Sequence, residues 1–156
     1  MADDPTGIRN FQRLNARTTT SGRLRDEDLA GLAAIGVGHV INLALDDHHE
    51  ALGDEAAKLA SHGIGYTHIP VPFGAPSEDH YAMFVAALEA TVEAPVHVHC
   101  IMNYRVSAFF YRYHRENGMD NEAALTLLEA QWAPLKAAAP EAAPWREFLL
   151  RTQASS

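Results

Sequence analysis

Apolar and polar positions change period repeatedly along this chain. Residues 26–35 (DEDLAGLAAI) crowd acids into a first turn, place Leu29, Leu32 and Ala33 on one face, and stop at Gly36, which predicts a helix. Residues 37–45 (VGHVINLAL) predict a buried strand, broken by Asp46-Asp47-His48-His49. A second helix is predicted over 50–62, closed by Gly63, and a second strand over 64–71, ended by Pro72. Ser77 is a candidate N-cap for a helix reaching about Glu93, with Glu78 and Asp79 in its first turn. Residues 96–100 form the next strand and 104–116 the next helix, which ends at Asn117-Gly118. Asp120 caps the helix NEAALTLLEAQW, and a short last helix is expected over 145–152. Residues 8–22 suggest one or two short strands, residues 1–7 a loose leader, and the Ala/Pro stretch 137–144 a connector within one domain.

Strand alternates with helix three times, so the expected fold is a single α/β domain over 8–156, a mainly parallel sheet flanked by helices. Ligands of such sheets sit at the carboxyl ends of the strands. Here those ends are Asp46 to His49, Val71 to Gly74 and Cys100 to Arg105.

Composition narrows the partners. The 156 residues carry a formal charge of −8 and only two lysines, which excludes a general nucleic-acid or anionic-membrane surface. A small anion can still bind a locally positive site. No run of about 18 apolar residues is present. The single cysteine excludes an intramolecular disulfide and an in-chain dithiol cycle, and a reducing cytoplasm is the expected location.

That cysteine, Cys100, ends the alternating run Val96-His97-Val98-His99, with Arg105 five positions on and Ser107 seven. A thiol at a strand-to-helix junction meets unpaired backbone N–H groups and the positive helix end. Arg105 adds a planar fork suited to an oxyanion. The set describes an anion cradle with a nucleophile at its base; the alternative is an inert cysteine at the end of a core strand.

His99-Cys100…Arg105 resembles the phosphate-binding loop of cysteine-based protein tyrosine and dual-specificity phosphatases. Thr20-Ser21-Gly22, Asp28-Leu29, Gly36-Val37, Val40-Ile41-Asn42-Leu43 and the run from Gly63 to Val71 resemble, in order, the landmarks of bacterial phosphatase-like DUF442 proteins. The resemblance implies a dual-specificity-phosphatase-like fold. It implies Cys100 as the nucleophile that forms a phosphocysteine and Arg105 as the ligand of the phosphoryl oxygens. His99 would organise the loop and help ionise the thiol, and Ser107 would assist the sulfur's departure. Backbone N–H groups of Ile101, Met102, Asn103 and Tyr104 would complete the cradle. The partner implied is a phosphorylated substrate or small oxyanion, without metal or cofactor.

Two features depart from that pattern. The phosphatase signature has five residues between cysteine and arginine, and this chain has four, with Asn103 where glycine is usual. A general acid is expected after the HIPV strand, and Pro72-Phe73-Gly74 supplies none. Asp79 and Asp46, with their neighbours Glu78 and Asp47, are the candidate acids; their alternatives are helix-turn and turn-forming roles. Rhodanese-type sulfurtransferases resemble the loop in its length, and a Cys100 persulfide would need no acid. A non-catalytic oxyanion- or phosphopeptide-binding module is the third reading.

Nine histidines are many for this length, but no His/Cys/Asp set has the ligand spacing of a known metal site. His39, His68 and His97 are expected to pack structurally, and Arg112 and Arg115 to serve the C-terminal part of their helix. Phe109, Phe110 and Tyr113 are expected in the core. Trp132 and Trp145 should anchor the C-terminal helices.

Overall fold

The computed structural model describes residues 3–154. Five strands form one sheet in the order β1-β2-β5-β3-β4. They are β1 (Gln12–Arg13), β2 (Thr18–Ser21), β3 (His39–Asn42), β4 (Gly65–His68) and β5 (Val96–His99). β1 runs antiparallel to β2; every other pairing is parallel. The helices are α1 (Leu29–Ala34), α2 (Glu55–Ala60), α3 (Glu78–Ala90), α4 (Tyr104–Glu116), α5 (Asn121–Glu129) and α6 (Ala143–Ala154). No described helix is long and apolar enough to cross a membrane. The α/β fold with a mainly parallel sheet agrees with the sequence reading.

Strand alternation divides the interior into two cores. Ile41, Val96 and Val98 face a large cluster with Phe84, Phe109, Tyr111, Trp145 and Phe148 from α3, α4 and α6. Val40 faces a smaller cluster with Leu29, Leu32, Leu59 and Ile64 beside α1 and α2. The central strand β5 is buried along its whole length, so its polar side chains need partners inside the protein. His97 finds them in Thr19 Oγ1 on Nδ1 and Ser21 Oγ on Nε2, both at 2.8 Å. Burial, and then the nearby His99, push its pKa well below the usual histidine value and keep it neutral. The expected packing role of His97 is met by this chain of hydroxyls.

Several elements are shorter than the periodicity suggests. The strand expected over 37–45 is regular over His39–Asn42, with the Leu43 N–H still donating to the His99 carbonyl at 2.8 Å, and the helix expected over 50–62 begins at Glu55. Asp54, at φ 55°, breaks the chain just before that helix. Leu43 and Ala44 stay in the core, and a loop follows them at the carboxyl end of β3. At the other end, the last helix starts two residues earlier than expected, after a 3₁₀ turn over Pro140–Ala142.

Of the expected leader, Met1 and Ala2 lie outside the described residues. The segment after them is tied down: Asp4 pairs with Arg13, Pro5 lies against Gly31, and the Gly7 carbonyl accepts from Arg25.

Candidate active site

The sheet delivers Cys100 to its carboxyl edge, where the Cys100 N–H reaches the Ser21 carbonyl at 3.4 Å. Four residues later α4 begins, with Asn103 at its N-cap in the left-handed conformation, φ 68°. Glycine would adopt that angle freely, but asparagine brings a side chain that anchors the turn. Asn103 Nδ2 donates to the Asn10 carbonyl at 2.9 Å and to Thr20 Oγ1 at 3.0 Å. Asn10, itself at φ 51°, donates through Nδ2 to the Met102 carbonyl at 2.9 Å. The two asparagines clasp each other across 93 residues of sequence.

The loop's carbonyls face that clasp and its neighbours. The Ile101 carbonyl accepts from the Arg23 N–H at 2.9 Å and from Arg9 Nη1 at 3.4 Å, and the Cys100 carbonyl lies 3.1 Å from His99 Nδ1. In a trans peptide the following N–H points opposite to the carbonyl. The N–H groups of Ile101, Met102 and Asn103 are therefore turned away from the clasp. Gly22 makes this packing possible, because a Cβ there would stand 2.5 Å from the Ile101 oxygen.

Cys100 and Arg105 line one cavity of about 290 Å³, with Leu45, Asp47, His48, Phe73, Ile101, Met102 and Tyr104. Cys100 is 1% exposed and Arg105 7%. Arg105 Nη1 donates to the Val71 carbonyl at 2.9 Å, and the guanidinium carbon lies 5.9 Å from the centre of the Phe73 ring. Phe73 and Tyr104 are braced from behind. Tyr104 stacks on Trp132 at 4.7 Å and 6°, while Trp145 Nε1 donates to the Phe73 carbonyl at 2.7 Å. The tryptophans expected only to anchor the C-terminal helices also support two walls of this cavity.

Not every candidate residue reaches the cavity. Asp79 is exposed in the first turn of α3, and Asp46 is exposed in the loop after β3; neither lines it. The carboxylate that does is Asp47, with His48 beside it. Both belong to the loop that follows β3, which also gives Leu45 to the lining. His48 Nδ1 accepts from the Glu50 N–H at 3.0 Å, so the proton of its neutral ring sits on Nε2. Ser107 also departs from expectation. Its Oγ donates to the Tyr104 carbonyl at 3.1 Å, and its side chain borders a separate small cavity with Gln12, Leu14 and Thr20. His99 and Asn103 lie behind the loop as supports.

Three residues absent from the sequence reading shape the site. Arg9 makes a two-pronged pair with Glu50 at 3.0 and 2.8 Å, and Arg23 Nε lies 3.3 Å from the same carboxylate. The hydrogen bonds from Arg9 hold the Glu50 pKa below its usual value. His48, His49 and Glu50 bring three possible metal-ligand atoms within 4.8 Å of one another. Glu50 is engaged by two arginines, which opposes a cation there. The third residue is Glu55, buried at the start of α2, whose Oε2 lies 2.6 Å from His99 Nε2. Its signal was an acid on a helix start, which is common, and nothing local distinguishes it.

Comparison with known proteins places this geometry. Residues 10–111 match the family model of the beta-lactamase hydrolase-like protein, phosphatase-like domain. A crystal structure of a DUF442 protein from Shewanella putrefaciens CN-32 is 30% identical with a TM-score of 0.80, covering 96% of this chain and 94% of its own. TpbA of P. aeruginosa in complex with pTyr shares the fold at 20% identity and a TM-score of 0.69, with 94% and 91% covered. The core catalytic domain of the S. cerevisiae PP-IP phosphatase SIW14 does so at 13% identity and 0.72, with 95% and 93% covered. No curated protein matches the chain.

Proposed function

Because the chain belongs to the phosphatase-like-domain family of the beta-lactamase hydrolase-like proteins, we propose that it hydrolyses a phosphomonoester through a phosphocysteine. The observation that carries this reading is the meeting of Cys100 and Arg105 in one cavity with apolar and aromatic walls.

In the first step the Cys100 thiolate attacks phosphorus, an S–P bond forms, and the P–O bond to the leaving group breaks. The leaving oxygen takes its proton from the carboxyl group of Asp47 on the cavity's rim, and the carboxylate left behind takes one from the attacking water in the next step. In the second step water attacks phosphorus, the S–P bond breaks, inorganic phosphate leaves and the thiolate returns. Arg105 and the N–H groups of Ile101, Met102 and Asn103 meet the equatorial oxygens, where charge grows in both transition states. The cavity lies at the small end of the usual range for ligand pockets. Together with Phe73 and Tyr104 this favours a single aryl phosphate, such as one phosphotyrosine side chain, or a small metabolite phosphate.

The first test is hydrolysis of an aryl phosphate. Cys100→Ser should abolish turnover and leave phosphate affinity largely intact; turnover that survives this change refutes the mechanism. Asp47→Asn should lower kcat by about 10²-fold for an alkyl phosphate and less for an aryl one, whose leaving group needs less protonation. If Asp47→Asn is silent for both substrates, Asp47 is not the acid. Thiocyanate formation from thiosulfate and cyanide without phosphate release would instead favour the persulfide reading.

A further inference from the structure

Behind Cys100 lies a buried ionisable pair whose hydrogen bonds fix its proton count. His99 and Glu55 have side chains only 4% exposed. Nε2 of His99 faces Glu55 Oε2 at 2.6 Å, and Nδ1 faces the Cys100 carbonyl at 3.1 Å. A carbonyl oxygen can only accept, so Nδ1 carries a proton. A carboxylate also only accepts, so the contact at Nε2 needs a second proton, either on the ring or on the acid. The 2.6 Å separation is as short as a charge-assisted N–H···O bond becomes, which places that proton on the ring. The pair is then imidazolium and carboxylate, with the positive ring against the cysteine backbone and the negative group on the far side.

The surroundings support that orientation. His97, stacked behind His99 at 6.4 Å, is held neutral by burial and by its two hydroxyl partners. On β4, burial pushes the Tyr66 phenol up to about 12, and its oxygen accepts from Asn42 Nδ2. On β2 and β3 the residues in register with His99 are Ser21 and Asn42, both uncharged. Beyond Cys100 stands Arg105, and on the outer side of the loop Arg9 and Arg23 share Glu50. Glu55 is the carboxylate bonded to His99.

We propose that Glu55 is a positioning residue for the nucleophile: it keeps His99 doubly protonated against the Cys100 carbonyl, and the ring's charge favours the thiolate. This rests on Cys100 being the nucleophile and on the part that the family resemblance gives His99; what it adds is Glu55. In Glu55→Gln the amide can still hydrogen-bond the ring but no longer stabilises its charge.

The experiment measures the pH dependence of Cys100 alkylation by iodoacetamide in the substrate-free protein, alongside the ring nitrogens of His99 in ¹H–¹⁵N correlation spectra. The unmodified protein should show both His99 nitrogens protonated at pH 7. Glu55→Gln should lose one of those protons and move the alkylation midpoint upward by about one pH unit. Glu55→Asp, if it restores the bond, should bring the midpoint partly back. A wild-type His99 with one bare nitrogen at pH 7 overturns the proposal even if the variants fail to fold. So does an unchanged or lowered midpoint in folded Glu55→Gln. Absence of aryl phosphate hydrolysis, with the midpoint shift still present, would sink the phosphatase reading and leave this inference standing.

Discussion

Helix α4 carries two buried arginines, Arg105 and Arg112, seven positions apart and so nearly on one face. They are almost equally hidden, at 7% and 9% exposure, yet their surroundings differ in kind. Arg112 is saturated. Its two Nη atoms take both oxygens of Glu78 at 2.6 Å, its Nε takes Glu116 at 3.0 Å, and the Tyr81 and Phe148 rings lie 4.3 and 4.8 Å from its guanidinium carbon. Arg105 has one carbonyl on one nitrogen and borders a cavity. A buried guanidinium without a carboxylate is costly unless something anionic visits it. The difference sets an arginine that holds helices together apart from the one proposed to receive the phosphate.

The largest effect that tests this contrast is on turnover. Arg105→Lys keeps the charge but loses the planar fork, so kcat/KM for an aryl phosphate should fall about 10²- to 10³-fold. Stability should drop by only about 1 kcal/mol, the worth of its single bond to Val71. Activity retained within tenfold would remove Arg105 from the cradle. Next in size is Arg112→Met. It breaks two ion pairs and two ring contacts, but Glu78 and Glu116 are 51% and 38% exposed, so solvent already screens much of the charge. About 2 kcal/mol is expected. Thermal unfolding should read it as a fall in Tm of about 6 °C, with kcat changed less than twofold. A large loss of kcat here would mean that the two ends of α4 are coupled.

The same contrast shows what was legible before the structure. Cys100 and Arg105 were visible because their signal is local: an alternating strand, a short loop and a helix start within one stretch of chain. The parallel sheet was visible for the same reason. Arg112 was read as a cation serving the helix end, and its real partners lie on α3, 34 residues away, and within α4. The acid candidates show the same limit. Asp79 and Asp46 occupied favourable places by pattern, but which carboxylate lines the cavity depends on the course of the loop after β3, which periodicity does not give. Glu55, Arg9 and Asn10 act across 41 to 93 residues, and periodicity carries no information about such distances. The clasp at Asn103 was half visible: its tolerance of positive φ follows from residue type, whereas its bonds to Asn10 and Thr20 follow only from the fold.

The smallest effect concerns the charge on the saturated side. Hydrogen bonds from Arg112, and then those from Arg151, lower the pKa of Glu78 below its ordinary 4.5. A depressed carboxylate stabilises the fold fully above its unfolded value, and that contribution disappears as pH falls through the folded value. Glu78 is half exposed, so Glu78→Gln should cost less than about 1 kcal/mol at pH 7. The gap between wild type and variant in urea unfolding should narrow as pH falls below 4.5 and close below the folded value. A gap that persists unchanged at pH 3 would assign the role of Glu78 to packing and hydrogen-bond shape. Arg112 would then owe its saturation to the Tyr81 and Phe148 rings more than to its carboxylates.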